Sequence, residues 1–243
     1  MVEHKQPGTG SLAAAWGVHL FTSLGVVIAF LALLAIEQQQ PREALLWLFL
    51  ALVVDGIDGT LARAAKVSER LPRIDGAALD LVIDYLTYVF LPVLIIWRGD
   101  YLPPTLALPL CAAILSSSLY VFARRDMKTE DGYFRGFPAL WNVVAFYFFV
   151  TEPDQAVSAI VVVALLIMTF APVHVVHPFR APGYGRLLPA LSILWAVSTA
   201  ALLLPHLDSG VGSVLAVVSL ATAAVLIAIG LLRTARGARQ AAQ

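Results

Sequence analysis

The sequence predicts an all-α integral membrane protein, and three observations support that fold class: its composition, its long apolar runs and the placement of its cations. Of the 243 residues, 60% are hydrophobic and only 13% are charged, and the mean hydropathy is +0.83. Soluble domains are closer to about half apolar and about a quarter charged. A water-soluble fold could not hide this much apolar surface, so we expect a bilayer to solvate it.

Eight apolar runs are candidate membrane spans, because about 20 residues are needed to cross the hydrocarbon layer. They cover residues 15–36, 43–65, 77–97, 103–123, 138–151, 154–173, 187–205 and 210–232. The fifth run is short, which predicts a tilted or partly protein-buried helix, and six or seven spans result if the later runs merge. We expect one domain, 1–243, with its core at 15–186 and two C-terminal helices at 187–232. The first run lacks a cleavage signature and predicts an uncleaved anchor.

The cations predict the orientation. With a cytoplasmic N-terminus, 14 of the 16 Lys and Arg residues lie inside, Lys5 and Arg180 among them, and only Arg42 and Arg98 lie outside. This asymmetry follows the positive-inside rule, so both termini are predicted to be cytoplasmic. The net charge of zero gives no indication of a nucleic-acid partner. A single cysteine, Cys111, excludes a disulfide framework and a multi-cysteine metal site.

Two of the predicted helices carry carboxylates that a bilayer disfavours. Asp55 and Asp58 stand in the second run, and Asp80 and Asp84 stand in the third. Spacings of three and four residues place each pair on one helical face. The two helices are antiparallel and joined by the basic loop 64–74, so we expect all four acids to meet at one depth, in the cytoplasmic half of the membrane.

Such a cluster requires compensation, since a charge at the centre of a helix costs roughly 3 kcal/mol on insertion scales. Carboxylate oxygens favour Mg²⁺ or Mn²⁺, and phosphate oxygens can complete the coordination shell. Gly56 and Gly59 leave room for another helix or a nucleotide beside the acids. Arg63, near the cytoplasmic end of the same run, can donate paired hydrogen bonds to a phosphate.

Intramembrane acids also occur in cation or proton transporters, and this is the competing interpretation. A transporter predicts polar residues deep in several helices, including their outer halves. Here the outer halves are mostly Leu, Val, Ala and Ile, and the acids are concentrated in two helices on one side. A purely structural scaffold would not retain four clustered acids. The pattern therefore favours a reaction site that faces the cytoplasm.

These residues resemble the signature of the CDP-alcohol phosphotransferase family. Its fixed positions are filled by Asp55, Gly56, Asp58, Gly59, Ala62, Arg63, Gly76, Asp80 and Asp84. Twelve residues separate Arg63 from Gly76 where the general signature has eight, and this spacer resembles that of the bacterial phosphatidylcholine synthase branch. His19 stands where many members have Asn in a Pro-Asn-x-x-Thr stretch that ends here at Thr22.

The resemblance implies a phosphatidyl transfer from CDP-diacylglycerol to choline, with release of CMP by direct displacement. It implies that two divalent ions, Mn²⁺ or Mg²⁺, are held by Asp55, Asp58, Asp80 and Asp84, and that Asp84 is also the general base. The residues implied to bind the CDP-lipid are Thr22, Gly56, Gly59 and Arg63. Serine is the main alternative acceptor, followed by glycerol phosphate and inositol phosphate. A homodimer in the bacterial inner membrane, with a cytoplasmic active site, is also implied.

Choline carries a permanent cation, and sites for such groups use aromatic faces. Our candidates for this role are Tyr88, Tyr133, Trp141 and Asn142. Tyr88 lies one turn beyond Asp84 on the same predicted face. Tyr and Trp also concentrate at membrane interfaces for reasons unrelated to ligands, which is the alternative explanation of these rings. His174 and His177 have the spacing of a zinc pair, but no third ligand is obvious. Pro172 and Pro178 instead indicate a helix end, with the imidazoles bonded to the backbone or facing phosphates.

Overall fold

The computed structural model describes residues 9–178, 181 and 183–241. Lys5 and Arg180, which contribute to the predicted orientation, lie outside these residues. The chain divides into two compact units, Met1–Leu91 and Pro92–Gln243, and each is described by itself. The single domain with a core at 15–186 stays a prediction.

Helices form almost all of the first unit. They are α1 (Thr9–Glu37), α2 (Pro41–Ala64), the single turn α3 (Val67–Arg70) and α4 (Gly76–Asp84), which continues into a π-helical segment at Tyr85–Phe90. Pro41 opens α2, where its missing N–H costs nothing. Asp75 caps α4 by accepting hydrogen bonds from the backbone N–H groups of Ala77 and Ala78 at 3.0 and 3.1 Å. This cap fixes the start of α4 and so the positions of its acids.

Helix α1 packs against both α2 and α4. At Gly25 a Cβ atom would lie 2.6 Å from Cγ2 of Ile83, so only glycine allows α1 and α4 to approach this closely. The loop after α2 is held by Val67, which is buried with Ala15 and Val18. These contacts set the position of α4 relative to α2.

The second unit combines helices with one small sheet. Its elements are α5 (Leu91–Arg98), α6 (Pro104–Ala123), β1 (Tyr133–Arg135), α7 (Trp141–Thr151), α8 (Gln155–Phe170), β2 (His174–Val176), α9 (Leu187–Leu202) and α10 (Ser209–Ala241). The two strands are antiparallel, with Tyr133 opposite Val176 and Arg135 opposite His174. The end of α10 packs against β2.

A polar network joins three apolar helices of this unit. The hydroxyl of Tyr147 in α7 lies 2.9 Å from Oγ of Ser219 in α10 and accepts a hydrogen bond from the indole of Trp195 in α9 at 3.0 Å. Thr199 of α9 lies 3.0 Å from the same serine oxygen. Polar side chains inside apolar helices are stable when they satisfy one another, so this network stabilises the packing of α9 and α10 on α7.

Within the described residues, five long apolar helices are candidate membrane spans: Leu12–Glu37, Pro41–Ala64, Gly76–Arg98, Pro104–Ala123 and Ser209–Gly237. Three shorter apolar helices are α7, α8 and α9. Each of the eight coincides with one predicted run, which confirms a multi-pass all-α membrane protein, whereas the count of eight spans stays a prediction. The small sheet was not predicted, because three-residue strands whose partners lie about 40 residues apart leave no alternating pattern.

Candidate active site

Three carboxylates from two helices meet in the first unit. Asp55 of α2 and Asp80 and Asp84 of α4 each offer an oxygen atom, and these atoms all lie within 4.8 Å of one another. All three side chains are half-buried. The predicted meeting of acids from the second and third apolar runs is therefore confirmed for these three residues.

Asp58 is placed differently from the other three. It is only 6% exposed, and its Oδ2 accepts a hydrogen bond of 2.9 Å from the hydroxyl of Thr22 in α1. It does not belong to the group whose oxygen atoms lie within 4.8 Å. The sequence placed Asp58 on one face with Asp55, but it gave no indication that α1 would supply a hydroxyl to it.

Tyr88 lies in the π-helical segment that follows Asp84. Its hydroxyl donates a hydrogen bond of 2.6 Å to Oδ2 of Asp55, and the residue is only 6% exposed. In this segment the N–H of Leu91 donates to the carbonyl of Leu86, five residues earlier, and the hydroxyl of Thr87 donates to the carbonyl of Ile83 at 3.0 Å. The spacing from Asp84 correctly predicted that Tyr88 lies near the acids, but nothing in the sequence marked the π segment.

The signature glycines have different surroundings. Among the described residues, a Cβ atom at Gly56 would meet nothing within 4 Å, so helix packing does not require glycine there, and the space beside the backbone is open. At Gly59 it would lie 3.4 Å from Nη1 of Arg63. The Arg63 guanidinium is exposed and donates to the hydroxyl of Thr60 at 3.1 Å. The open side of α2 is thus the side that carries Gly56 and Arg63.

His19 lies one turn before Thr22 on α1. It is 8% exposed, and a Cβ atom at Gly76 would lie 3.2 Å from its Cε1. Glycine at the start of α4 is therefore explained by close packing against this imidazole. Among the described residues, Nε2 of His19 has no hydrogen-bond partner.

The other predicted choline residues belong to the second unit. Trp141 is fully buried, with its indole N–H 2.9 Å from the hydroxyl of Ser118. The side-chain oxygen of Asn142 accepts from the N–H of Val143 at 2.9 Å. Tyr133 is 5% exposed, and the guanidinium of Arg233 lies over its ring, 5.9 Å from the centroid. Each of these side chains therefore already has a protein partner.

An ion pair fixes the turn that precedes Tyr133 and β1. Asp131 accepts a hydrogen bond of 2.9 Å from Nε of Arg233 in α10. The hydroxyl of Thr129 and the guanidinium of Arg233 lower the pKa of the Asp131 carboxyl. His174 of β2 lies 3.2 Å, through Nδ1, from the hydroxyl of Thr234. Burial, with the nearby charge of Arg233, lowers the pKa of this imidazole. His177 stacks on Phe134.

Comparison with known proteins identifies the family. The profile of the CDP-alcohol phosphatidyltransferases matches residues 18–176. The chain belongs to this family. It is 48% identical to the phosphatidylcholine synthase of Pseudomonas aeruginosa, over 79% of this chain and 80% of that protein. The phosphatidylcholine synthases of Bradyrhizobium diazoefficiens and Mesorhizobium japonicum are 42% and 40% identical, each over 79% of this chain and over 72% and 71% of their own lengths.

The acid group suits the chemistry of a CDP-alcohol phosphatidyltransferase. Its donors are all carboxylate oxygens, and such donors favour hard divalent ions such as Mg²⁺ or Mn²⁺. The three acids stand in helices whose other side chains are largely apolar, so a bound cation would relieve their mutual repulsion. The residues present therefore fit a divalent metal site.

Proposed function

We propose that this enzyme transfers the phosphatidyl group of CDP-diacylglycerol to the hydroxyl of choline and releases CMP. The observation that carries the proposal is the convergence of Asp55, Asp80 and Asp84 within 4.8 Å, in a chain of the CDP-alcohol phosphatidyltransferase family. The acceptor is supported by the relatives, since the proteins that resemble this chain at 40–48% identity over about four-fifths of its length are phosphatidylcholine synthases.

The proposed metal ligands are Asp55, Asp58, Asp80 and Asp84, with Mn²⁺ or Mg²⁺ as the ion and two ions in the complete site. Asp58 stays in this set because it stands three residues from Asp55 on α2, and the hydroxyl of Thr22 orients its carboxylate. When bound, the ions would neutralise charge on the diphosphate and on the departing CMP.

Asp84 is the proposed general base. A primary alcohol is a weak nucleophile, so a carboxylate must take its proton as the new bond forms. The choline oxygen bonds to the phosphorus of the phosphatidyl group, the bond from that phosphorus to the oxygen of CMP breaks, and the hydroxyl proton moves to Asp84. The displacement is direct, without a covalent phosphatidyl-enzyme.

The CDP-lipid is proposed to bind along the open side of α2. The empty space beside Gly56 allows a diphosphate to approach the backbone. Gly59 keeps a bulkier side chain away from Arg63, whose exposed guanidinium can donate two hydrogen bonds to a phosphate. Thr22, whose hydroxyl donates to Asp58 on the buried side of α2, is proposed as a further contact of the CDP-lipid.

For choline we propose, each taken by itself, Tyr88 of the first unit and Tyr133, Trp141 and Asn142 of the second. The chemical ground is that an ammonium group without N–H donors binds aromatic faces. Serine, glycerol phosphate and inositol phosphate are the acceptors to be tested against choline.

The charge asymmetry of the sequence supports eight spans, cytoplasmic termini and an active site on the cytoplasmic side of a bacterial inner membrane. We further propose that the enzyme is a homodimer.

The deciding experiment gives the purified, detergent-solubilised protein CDP-diacylglycerol and Mn²⁺ with one acceptor at a time: choline, serine, inositol, inositol phosphate or glycerol phosphate. We expect CMP release and a new phospholipid with choline, and loss of both products when the metal is chelated. A product formed only with another acceptor would reassign the substrate. If no acceptor reacted, while liposomes that contain the protein showed an Asp84-dependent cation flux, the transporter interpretation would replace the enzyme.

A further inference from the structure

Tyr88 contacts the acid group itself. Its hydroxyl lies 2.6 Å from Oδ2 of Asp55, a length typical of a strong hydrogen bond from a hydroxyl to a carboxylate. The residue is 6% exposed, so its contact with Asp55 is largely shielded from water. The side chain is therefore arranged to use its hydroxyl.

The helix is distorted where this contact forms. The segment Tyr85–Phe90 is π-helical, and such turns are rare and frequent at functional sites. The Thr87 hydroxyl donates to the carbonyl of Ile83 at 3.0 Å, which satisfies a backbone oxygen where the regular hydrogen-bond pattern changes. Because the π turn begins directly after Asp84 and has more residues per turn than an α-helix, it changes the angle around the helix axis between Asp84 and Tyr88.

We propose that Tyr88 is a positioning residue for the metal site: its hydroxyl holds the Asp55 carboxylate close to Asp80 and Asp84, and the π-helical turn places it there. Asp55 comes from α2, whereas Asp80 and Asp84 share α4, so this hydrogen bond ties the two halves of the acid group together. Groups that orient a metal ligand in this way affect metal affinity, and their loss commonly weakens it about 10- to 100-fold. The inference rests on the proposed metal role of the acids.

The substitution Tyr88→Phe removes the hydroxyl and keeps the ring. Mn²⁺ binding to the purified protein, without CDP-lipid, is measured from the electron paramagnetic resonance signal of the unbound ion. We expect Tyr88→Phe to bind Mn²⁺ about 10- to 100-fold more weakly than the unmodified protein. The matched control is Tyr120→Phe, since Tyr120 is 51% exposed on α6 and stands in the other unit; its Mn²⁺ affinity should not change.

A double-mutant cycle separates positioning from general damage. If the hydroxyl acts through Asp55, Tyr88→Phe should have no further effect on Mn²⁺ affinity in an Asp55→Asn background. The rise in melting temperature caused by Mn²⁺, taken relative to each variant's own metal-free value, gives a second measure that a uniform loss of stability does not alter. At saturating Mn²⁺ the Michaelis constant for choline is measured as well, because Phe keeps the aromatic face proposed for choline and removes only the hydroxyl.

The outcomes distinguish this inference from the proposed function. If the unmodified protein and Asp55→Asn bind Mn²⁺ equally, the metal site itself is wrong. If Asp55→Asn binds weakly but Tyr88→Phe binds as the unmodified protein does, the metal site stands and the positioning role of Tyr88 is overturned. A raised Michaelis constant for choline with unchanged Mn²⁺ affinity overturns it as well, in favour of a direct acceptor contact.

Discussion

Two polar regions of this protein differ in how their charges are balanced. The acid group of Asp55, Asp80 and Asp84 gathers like charges within 4.8 Å, inside candidate membrane spans. The second region, which we term the strand anchor, consists of β1, β2, Asp131 and the three α10 residues Gly230, Arg233 and Thr234. Its charges are complementary, since Asp131 and Arg233 are paired at 2.9 Å. Its backbone groups are also satisfied, because the hydroxyl of Thr234 donates to the carbonyl of Gly230 and accepts from the N–H of His174.

The difference indicates what each region is for. Like charges gathered in an apolar setting destabilise a protein unless a cation joins them, so the acid group is kept for its chemistry. Opposite charges and satisfied backbone groups stabilise a loop against a helix, so the strand anchor stabilises the fold. Substitutions should therefore separate the two: those in the acid group should affect activity, and those in the anchor should affect stability.

The largest effect is expected from Asp84→Asn. The amide keeps the shape of the carboxyl but cannot take the proton of the choline hydroxyl, so the turnover number should fall by about 10²- to 10⁴-fold. The substitution also removes one of several like charges, so the metal-free protein should melt no lower than the unmodified one. Phosphatidylcholine formation from labelled choline, and thermal unfolding in detergent, measure the two quantities.

Asp100→Asn is the matched control for this change, because Asp100 is an exposed acid in the loop between α5 and α6. It should retain full activity. Full activity in Asp84→Asn would remove Asp84 as the base. A large drop in the melting temperature of the metal-free protein would instead assign Asp84 to the fold, and the contrast between the two regions would disappear.

The eight apolar helices and the meeting of three of the acids could be predicted from the sequence. The contacts that other residues make with these acids could not. Charged residues in an apolar run are conspicuous. The helices that carry Asp55 and Asp80 are joined by a short connection, which restricts how they meet. By contrast, the hydrogen bond from Thr22 to Asp58 joins residues 36 positions apart, and Thr22 looks like an ordinary helix residue. The π turn at Tyr85–Phe90 has no composition that distinguishes it from an α-helix.

The strand anchor was not predicted for the same reason: its contacts join residues that are even farther apart in the sequence. Asp131 and Arg233 are 102 residues apart, and both are types that loops and helix ends carry routinely. In the sequence, Arg233 is only one of the 14 cations predicted to lie inside. Only the folded chain shows that Gly230, Arg233 and Thr234, spaced three and four residues apart, form one face of α10 against β2.

The next largest effect is expected from Gly230→Ala, which tests the anchor. A Cβ atom at Gly230 would clash with the backbone carbonyl of His174, and neither partner is a flexible side chain that can move away. We expect a loss of about 1–3 kcal/mol in the free energy of unfolding, the usual cost of overpacking a tight contact. Mn²⁺ affinity should be retained, because the substitution leaves the acid group untouched.

Gly212→Ala is the control on the same helix. There the new Cβ atom would lie 3.4 Å from the end of the Leu207 side chain, which is ordinary contact, and alanine favours a helix over glycine. This variant should melt at or above the temperature of the unmodified protein. If Gly230→Ala melted in the same way, the close packing of α10 on β2 would not hold in solution.

The smallest effect is a pH dependence of the anchor that originates at His174. Burial is the main cause that lowers the pKa of this imidazole; Arg233 and Arg135 lower it further, and Asp131 opposes them. The unfolded chain therefore binds a proton more readily than the folded one. Stability contributed by neutral His174 is complete above the unfolded pKa of about 6.5 and is lost as the pH falls from there towards the lower folded pKa.

Replacing His174 with Gln should accordingly reduce the drop in melting temperature between pH 7.5 and pH 5.5, because Gln does not titrate in this range. His206→Gln, in the exposed loop between α9 and α10, serves as the control and should retain the full drop. Asp131 contributes in the same direction at lower pH: its carboxyl pKa is lowered by Thr129 and Arg233, so its contribution is lost only as the pH falls below about 3.9. If His174→Gln kept the full drop in melting temperature, protonation of another residue would cause the loss of stability at low pH. The stability of the anchor would then not depend on a neutral His174.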